Sequence, residues 1–177
     1  MSTIIIETNR LILKEFSFED AESMYALNLD SEVLKFTGDK PFKSVDEAFN
    51  FIKNYRDYSK NGFGRWSVFL KENGSYIGWC GLKLNEENRV DVGFRFAKQY
   101  WSKGYATESA KACLDYGFNQ LHIEEIIGRA DTDNKASVKV LVKINMLFWK
   151  SGNFEGVKNA SFFKLTKKQF NDINKSQ

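Results

Sequence analysis

Apolar and polar positions change their period at one place in this chain. Val90, Val92, Phe94 and Phe96 alternate with Asp91, Gly93 and Arg95, the period of two that marks a strand buried on one side. Further on, Ala106, Ala110, Cys113, Leu114, Gly117, Phe118 and Leu121 fall on one face of an α-helix. The switch lies within residues 102–105, so Gly104 stands where the backbone tightens before a helix begins. A helix start exposes unpaired N–H groups and about half a positive charge, and a small residue lets a phosphate come close to them. Lys103 adds a full charge beside it. On spacing alone the stretch is either an anion cradle or an ordinary loop.

The same patterning predicts the remaining elements. Leu11, Leu13 and Phe16 mark a first strand over 10–16, and Ser17-x-x-Asp20 approximates a capping box ahead of Ala21, Met24 and Tyr25 at helical spacing. Ser44-Val45-Asp46-Glu47 is a full box that opens a second helix, with Ala48, Phe51, Ile52 and Tyr55 on one face. Between these helices lie Phe36, Thr37, Gly38, Pro41 and Phe42, an aromatic-rich connection expected to pack into the core rather than to wall a cleft. Trp66, Val68 and Leu70 alternate in a second strand, Asn73-Gly74 suits a tight hairpin, and 76–83 returns as a third strand. The polar run Asn85-Glu86-Glu87-Asn88 turns the chain into the fourth. A fifth strand over 124–130 is reached through a helix, so it should pair parallel to the fourth. Asp131-Thr132-Asp133-Asn134 caps a helix that carries Ser137, Val140, Leu141 and Ile144 on one face. Two last strands are expected over 146–150 and 160–165, and a short terminal helix over 166–173.

Composition narrows the classes. A chain of 177 residues, 42% hydrophobic and 15% aromatic, suits one compact α/β domain over 1–177. Its 26 Lys+Arg and 23 Asp+Glu are mixed along the chain, for a net charge of +3, so nucleic acid is not called for. A pI near 8.7 keeps an RNA-binding protein as a distant alternative without an RNP-like motif. The opening run to Ile6 is interrupted by Glu7 too early for a leader, and no apolar run reaches membrane-spanning length, so a cytoplasmic protein away from the membrane is expected. Cys80 and Cys113 form no C-x-x-C pair, and Cys113 sits on the apolar helix stripe as a reduced core thiol. His122 is the only histidine, so neither a zinc site nor a histidine triad is expected. Neither G-x-x-x-x-G-K-[ST] nor a strand-linked G-x-G-x-x-G occurs, which leaves NTPase and dinucleotide-binding readings unsupported.

Trp101-Ser102-Lys103-Gly104-Tyr105-Ala106 resembles the [Q/R/W]-x-x-G-x-[G/A] pyrophosphate loop of the GNAT N-acetyltransferases. With Thr107-Glu108 it is most similar to their ribosomal-protein N-terminal acetyltransferase (Rim-type) branch. Other stretches match that branch in order: Glu7-Thr8-Asn9-Arg10-Leu11-Ile12-Leu13, Gly64-Arg65-Trp66, Ile77-Gly78-Trp79-Cys80-Gly81-Leu82, Asp91-Val92-Gly93-Phe94 and the helix from Asn134 to Leu141 with its N-x-x-S. The resemblance implies a GNAT fold of the α/β (α+β) class. That is a single mixed, mostly antiparallel sheet of about seven strands, with about four helices on both faces and strands four and five splayed where the pantetheine arm enters. It further implies acetyl-CoA as cosubstrate, an amine as acceptor, no metal, and a homodimer by analogy.

What the resemblance implies about residues is specific. Trp101, Ser102, Lys103, Gly104, Tyr105, Ala106 and Thr107 would hold the pyrophosphate. Val92, Phe94, Arg95 and Phe96 would meet the acetyl-pantetheine arm largely through backbone atoms, and Asn134 and Ser137 would meet the arm and the sulfur. Each of the last two is equally suited to capping its helix. Asp91 aligns with the strand where relatives carry a glutamate base; the alternative is a strand carboxylate facing solvent. Glu108, in the first helical turn, suits a structural role. Leu141 stands where many relatives place a tyrosine acid, which leaves Ser137 or water as proton donor. The usual Gly-Phe after that helix is Asn145-Met146, and Asn is the next best residue for a left-handed helix end. Because an α-amine at about 7.7–8.0 is partly neutral near pH 7 while a lysine amine at about 10.4 is not, the first expected acceptor is a protein or peptide N-terminus. The alternatives are a small amine (polyamine, amino acid or antibiotic) and an acyl-CoA-binding module without turnover.

Overall fold

The structure, a computed structural model, describes residues 3–175. Met1 and Ser2, which begin the run read as too short for a leader, lie outside them. Eight strands form one sheet in the order β1-β2-β3-β4-β5-β6-β8-β7. They are β1 (Ile4–Glu7), β2 (Leu11–Lys14), β3 (Arg65–Leu70), β4 (Tyr76–Leu84), β5 (Val90–Phe96), β6 (Glu125–Asp131), β7 (Leu147–Phe154) and β8 (Val157–Thr166). The helices are α1 (Ala21–Leu29), α2 (Ser31–Leu34), α3 (Val45–Lys53), α4 (Asp57–Asn61), α5 (Tyr105–Asn119), α6 (Lys135–Lys143) and α7 (Lys167–Lys175). None of these is long and apolar enough to cross a membrane.

The mixed GNAT sheet is present with one strand more than expected. β1 was not foreseen, because Ile4, Ile5 and Ile6 are a continuous apolar run without alternation. It is fixed by antiparallel pairing with β2, across a turn in which the Thr8 N–H donates to the Leu11 carbonyl at 3.0 Å. The helix count is also higher, since α2 and α4 span only four and five residues and so carry too few turns to show a period. Every pairing is antiparallel except β5 with β6, the strands joined through α5.

One core holds α5 and α7 on the sheet: Leu11, Leu13, Trp66, Ile77, Leu82, Leu114 and Phe118 are almost wholly buried there, and Phe170 of α7 packs on Phe118. Cys80 and Cys113 lie buried in this core as free thiols with their sulfurs 3.6 Å apart. Gly117 lets α5 approach β6, since a Cβ there would lie 2.7 Å from Ile126 Cδ1. A second, smaller core sets α1 against α3 through Ala21, Met24 and Ile52. Ser44 caps α3 as the sequence indicates, its Oγ accepting the Glu47 N–H at 3.2 Å. At Ser17 the capping box with Asp20 is present, Asp20 Oδ2 accepting the Ser17 N–H at 2.9 Å, and the Ser17 hydroxyl also donates to Glu19 at 2.8 Å.

β5 and β6 are in register only at Asp91↔Ile127 and Val92↔Gly128. Beyond that point the edge of residues 93–96 that faces away from β4 has no strand partner. The β4–β5 register runs without a shift through Gly81↔Gly93, so the opening comes from divergence of two strands rather than from a bulge at Gly93.

Candidate active site

Two clefts meet at this opening. The first, of about 570 Å³, runs between the start of α5 and the start of α6, and is floored by Phe94, Arg95 and Phe96. The second, of about 440 Å³, lies on the other side of β5 under the connection between α2 and α3. Phe36, Thr37, Phe94, Arg95, Asn134 and Ser137 line both. That shared set marks where a group bound in one cleft reaches a group bound in the other.

The first cleft is built from backbone. Gly104 takes φ +83°, a left-handed conformation, and Ser102 takes φ +60°. The first hydrogen bond of α5 runs from the Glu108 N–H to the Gly104 carbonyl at 3.0 Å, so the amides of Tyr105, Ala106 and Thr107 have no acceptor among the described residues. Together with the helix dipole they form an anion site. Trp101, Ser102, Gly104, Tyr105, Ala106 and Thr107 line the cleft, whereas Lys103 does not: its ammonium lies over the Tyr100 ring, 5.6 Å from the centroid. Lys35, Arg95, Lys135, Lys139 and Lys143 are the cations that do line it. Trp101 folds back so that its Nε1 donates to the Phe96 carbonyl at 2.7 Å, tying the loop to the end of β5.

Glu108 braces this loop from behind. It accepts from the Thr8 hydroxyl at 2.6 Å, from the Arg10 N–H at 3.0 Å and from Arg10 Nε at 2.7 Å, while Arg10 Nη1 donates to the Lys103 carbonyl at 3.0 Å. Partial burial works against the Glu108 charge, but the hydrogen bonds from Thr8 and Arg10 outweigh it and hold the carboxyl below its usual range. The structural role expected for Glu108 is thereby explained.

The second cleft is built from side chains. Asp91, read from sequence as a candidate base, is 3% exposed and grips two arginines. Its Oδ1 accepts from Arg65 Nη2, and its Oδ2 accepts from Arg129 Nη2 at 2.6 Å. Arg65 arrives from β3 by crossing the Arg65-Gly81-Gly93 row of the sheet, with Nη1 donating to the carbonyls of Gly81 at 2.6 Å and Asp91 at 3.0 Å. A Cβ on Gly93 would fall 2.5 Å from the Arg65 guanidinium, so this glycine makes room for the arginine. Burial alone would push the Arg65 pKa down, but Asp91 raises it above the ordinary value. Burial likewise pushes the hydroxyls of Tyr55 and Tyr58 well above their ordinary range. Tyr55 Oη accepts the Arg65 N–H at 2.7 Å.

Other sequence expectations fare differently. Val92 lines the second cleft rather than the first. The side chain of Arg95 reaches Asn28, to which Nη1 donates at 2.7 Å, and Asp39. Asn134 Oδ1 caps α6 by accepting the Ser137 N–H at 3.1 Å, and the Ser137 hydroxyl has no hydrogen-bond partner among the described residues. Leu141 is buried against Gly128, and Asn145 ends α6 at φ +66° with Met146 packed beside it. The aromatic connection both packs and walls: Phe42 packs on the α1–α3 core as expected and also lines the second cleft, while Phe36 and Thr37 wall both clefts, which core packing alone did not foresee. Gly38 sits against the turn after β7, where a Cβ would meet the Glu155 carbonyl at 2.6 Å. Arg65 and Arg129 were missed; the paired glycines at 81 and 93 were the only local trace of them.

Comparison with known proteins places this geometry. Residues 10–147 match the acetyltransferase (GNAT) domain family. The chain is 30% identical over 173 residues to the uncharacterized N-acetyltransferase p20 of Bacillus licheniformis, which covers 92% of this chain and 96% of that protein. Its fold is similar to a spermidine N-acetyltransferase from Vibrio cholerae in complex with CoA and spermine (TM-score 0.78, 17% identity, 92% and 99% covered). It is equally similar to a RimL ribosomal L7/L12 α-N-protein acetyltransferase in complex with coenzyme A (TM-score 0.79, 14% identity, 93% and 98% covered). At those identities the two structures speak for the fold alone. With the family matched over most of its length and a thioester-sized cleft opening on a splayed strand pair, the chain belongs to the GNAT family and is an acetyl-CoA-dependent N-acetyltransferase.

Proposed function

We propose that the acceptor is the α-amino group of a protein or peptide, delivered through the second cleft to acetyl-CoA in the first. The observation that carries this is the state of the second cleft's carboxylates. Of the four carboxylates that line it, Asp91 is held by Arg65 and Arg129, Asp39 by Arg95, and Glu155 lies 3.6 Å from Arg129 and 3.9 Å from Lys83; only Asp131 is left without an ion pair among the described residues, its Oδ1 accepting the Asp133 N–H at 2.8 Å. Five cations, Lys40, Arg65, Lys83, Arg95 and Arg129, line this space. A polyamine enters as a multiple cation and needs anions not already neutralised. A lysine amine needs a strong base to reach its neutral form, and Asp91 has both oxygens engaged. An α-amine, partly neutral near pH 7, requires neither.

In this reading Asp91 positions Arg65 and Arg129 beneath the acceptor rather than taking its proton. Water removes that proton. The amides of Tyr105, Ala106 and Thr107 bind the pyrophosphate, and Lys139 and Lys143 add charge at the mouth. Acetyl-CoA supplies the activated acetyl group, and the unpaired edge of residues 93–96 orients its arm so that the carbonyl meets the amine at the shared residues. Ser137, lining both clefts with a free hydroxyl, donates a hydrogen bond to the departing sulfur. Release of CoA thiol across N-terminal peptides, lysine peptides, spermidine and an aminoglycoside tests the assignment. The expected order places the peptides' α-amines first, and turnover confined to spermidine overturns it.

A further inference from the structure

The acceptor cleft buries more positive charge than negative. Arg65, Arg95 and Arg129 are all largely buried, yet among the described residues lining the cleft Asp91 is the only fully buried carboxylate, with Asp131 half-buried. The other anions stand at the rim. The clearest mismatch is Arg95, whose side chain is 10% exposed while that of its partner Asp39 is 53% exposed. A buried guanidinium needs an anion, but a carboxylate half in water gains little by staying. Exchange for another carboxylate is therefore inexpensive.

Arg95 is also the most rigidly prepared of the three for such an exchange. Its guanidinium lies over Trp79 at 5.2 Å from the ring centroid, and Nη1 is anchored on Asn28 Oδ1 at 2.7 Å. Neither contact uses the Nη2 that faces Asp39, so the fork keeps its place when that carboxylate leaves. Arg95 lines both clefts, which puts an anion bound to it beside the point of transfer. An anion held there suits an acceptor whose carboxylate stands about one or two residues from its amine, at roughly 3.5 Å per residue.

We propose that Arg95 is the specificity-determining residue of this acetyltransferase: it selects primary amines that carry a carboxylate close to the reacting nitrogen, that carboxylate replacing Asp39 on the guanidinium. The inference deepens the acceptor reading above and rests on it for the route of entry. The carboxylate has two possible sources, an acidic side chain near a peptide N-terminus or the carboxylate of a free amino acid.

The test uses the full chain with acetyl-CoA and peptides that differ only at their second residue, Ser-Glu, Ser-Gln and Ser-Lys, with free glutamate and spermidine beside them. The readout is kcat/KM by CoA thiol release. Ratios taken within one preparation do not depend on the folded fraction. Expected is a preference for Glu over Gln of about tenfold, carried by KM, and a further loss with Lys. Arg95→Gln should bring the Glu/Gln ratio to about one, Arg95→Lys should restore part of it, and Asp39→Asn should raise it. Equal kcat/KM for the Glu and Gln peptides, or a preference that survives in Arg95→Gln, overturns the inference and leaves the peptide reading standing. Turnover of free glutamate without any peptide does the reverse. Spermidine ahead of every carboxylate-bearing amine overturns both.

Discussion

The two clefts share β5 but hold their shape by different means. In the first, the ligand-facing groups are amides at the start of α5, and the charged side chains that brace them from behind, Arg10 and Glu108, sit outside the cleft and are reachable by water. In the second, the shape is set by Arg65, Asp91 and Arg129, which come from three strands and are buried together. A site made of backbone keeps its chemistry through many substitutions and needs only its glycine and its helix. A site made of buried charges has no such tolerance, because each member leaves an uncompensated ion when it goes.

The largest effect should follow from Asp91→Asn, which strikes the second cleft alone. It leaves Arg65 buried without its anion and Arg129 with only the exposed carboxylates Glu86 and Glu155, and a cost of about 3–5 kcal/mol in urea unfolding is expected. Activity should fall with the folded fraction and keep the pH profile of the parent chain. Were Asp91 the proton acceptor, stability would hold while kcat dropped and its low-pH limb vanished.

Gly104→Glu is the matching change in the first cleft. A side chain at φ +83° is strained, its Cβ would lie 3.3 Å from Arg10 Nη2, and a carboxylate would stand among the free amides. The strain and the repulsion together amount to about 3 kcal/mol, so CoA affinity by calorimetry should fall about a hundredfold. Unchanged affinity would remove the pyrophosphate assignment. Asp91→Asn, by contrast, should leave CoA affinity of the folded fraction close to that of the parent.

The same contrast explains what could be read from the sequence. The period change between Phe96 and Ala106, the glycine between them and the parallel return of β6 are local signals, and each led to the element found. The left-handed end of α6 was legible too, because Asn145 is one of few residues suited to φ +66°. The Arg65-Asp91-Arg129 triad was not. Its members are 26 and 38 positions apart along the chain and become neighbours only once the register of β3, β4, β5 and β6 is set. An Asp alternating with apolar residues looks the same in sequence whether it faces water or a guanidinium. The connection through Phe36 and Phe42 was legible in part for a related reason: half-buried aromatic rings pack and wall at once, as Phe42 does on the α1–α3 core and in the second cleft.

A smaller effect is expected at the brace. Glu108→Gln keeps the acceptor oxygen for Thr8 but removes the charge facing Arg10, which should cost about 1 kcal/mol in thermal stability at neutral pH. The sign with pH follows from the depressed carboxyl. Its contribution is present above the unfolded carboxylate value and is lost as pH falls through the folded one. Parent and Glu108→Gln should therefore differ at pH 7 and converge in acid below the ordinary carboxylate range. A gap that widens in acid contradicts the assignment.

The smallest effect bears on the seam between the clefts. Ser137 is held by its own amide, through the Asn134 cap at 3.1 Å, and not by its hydroxyl. Ser137→Ala therefore leaves α6 capped and both clefts in place, so neither stability nor CoA affinity should move. What it removes is one neutral hydrogen bond to a sulfur that gains charge as it leaves. A single such bond amounts to about 1 kcal/mol, or a drop of roughly fivefold in kcat with KM for the peptide unchanged. A thioester with a better leaving thiol needs that bond less, so the deficit should shrink when an aryl thioester replaces acetyl-CoA at saturating concentration. A deficit of the same size with both donors places Ser137 in acceptor positioning and returns protonation of the sulfur to water.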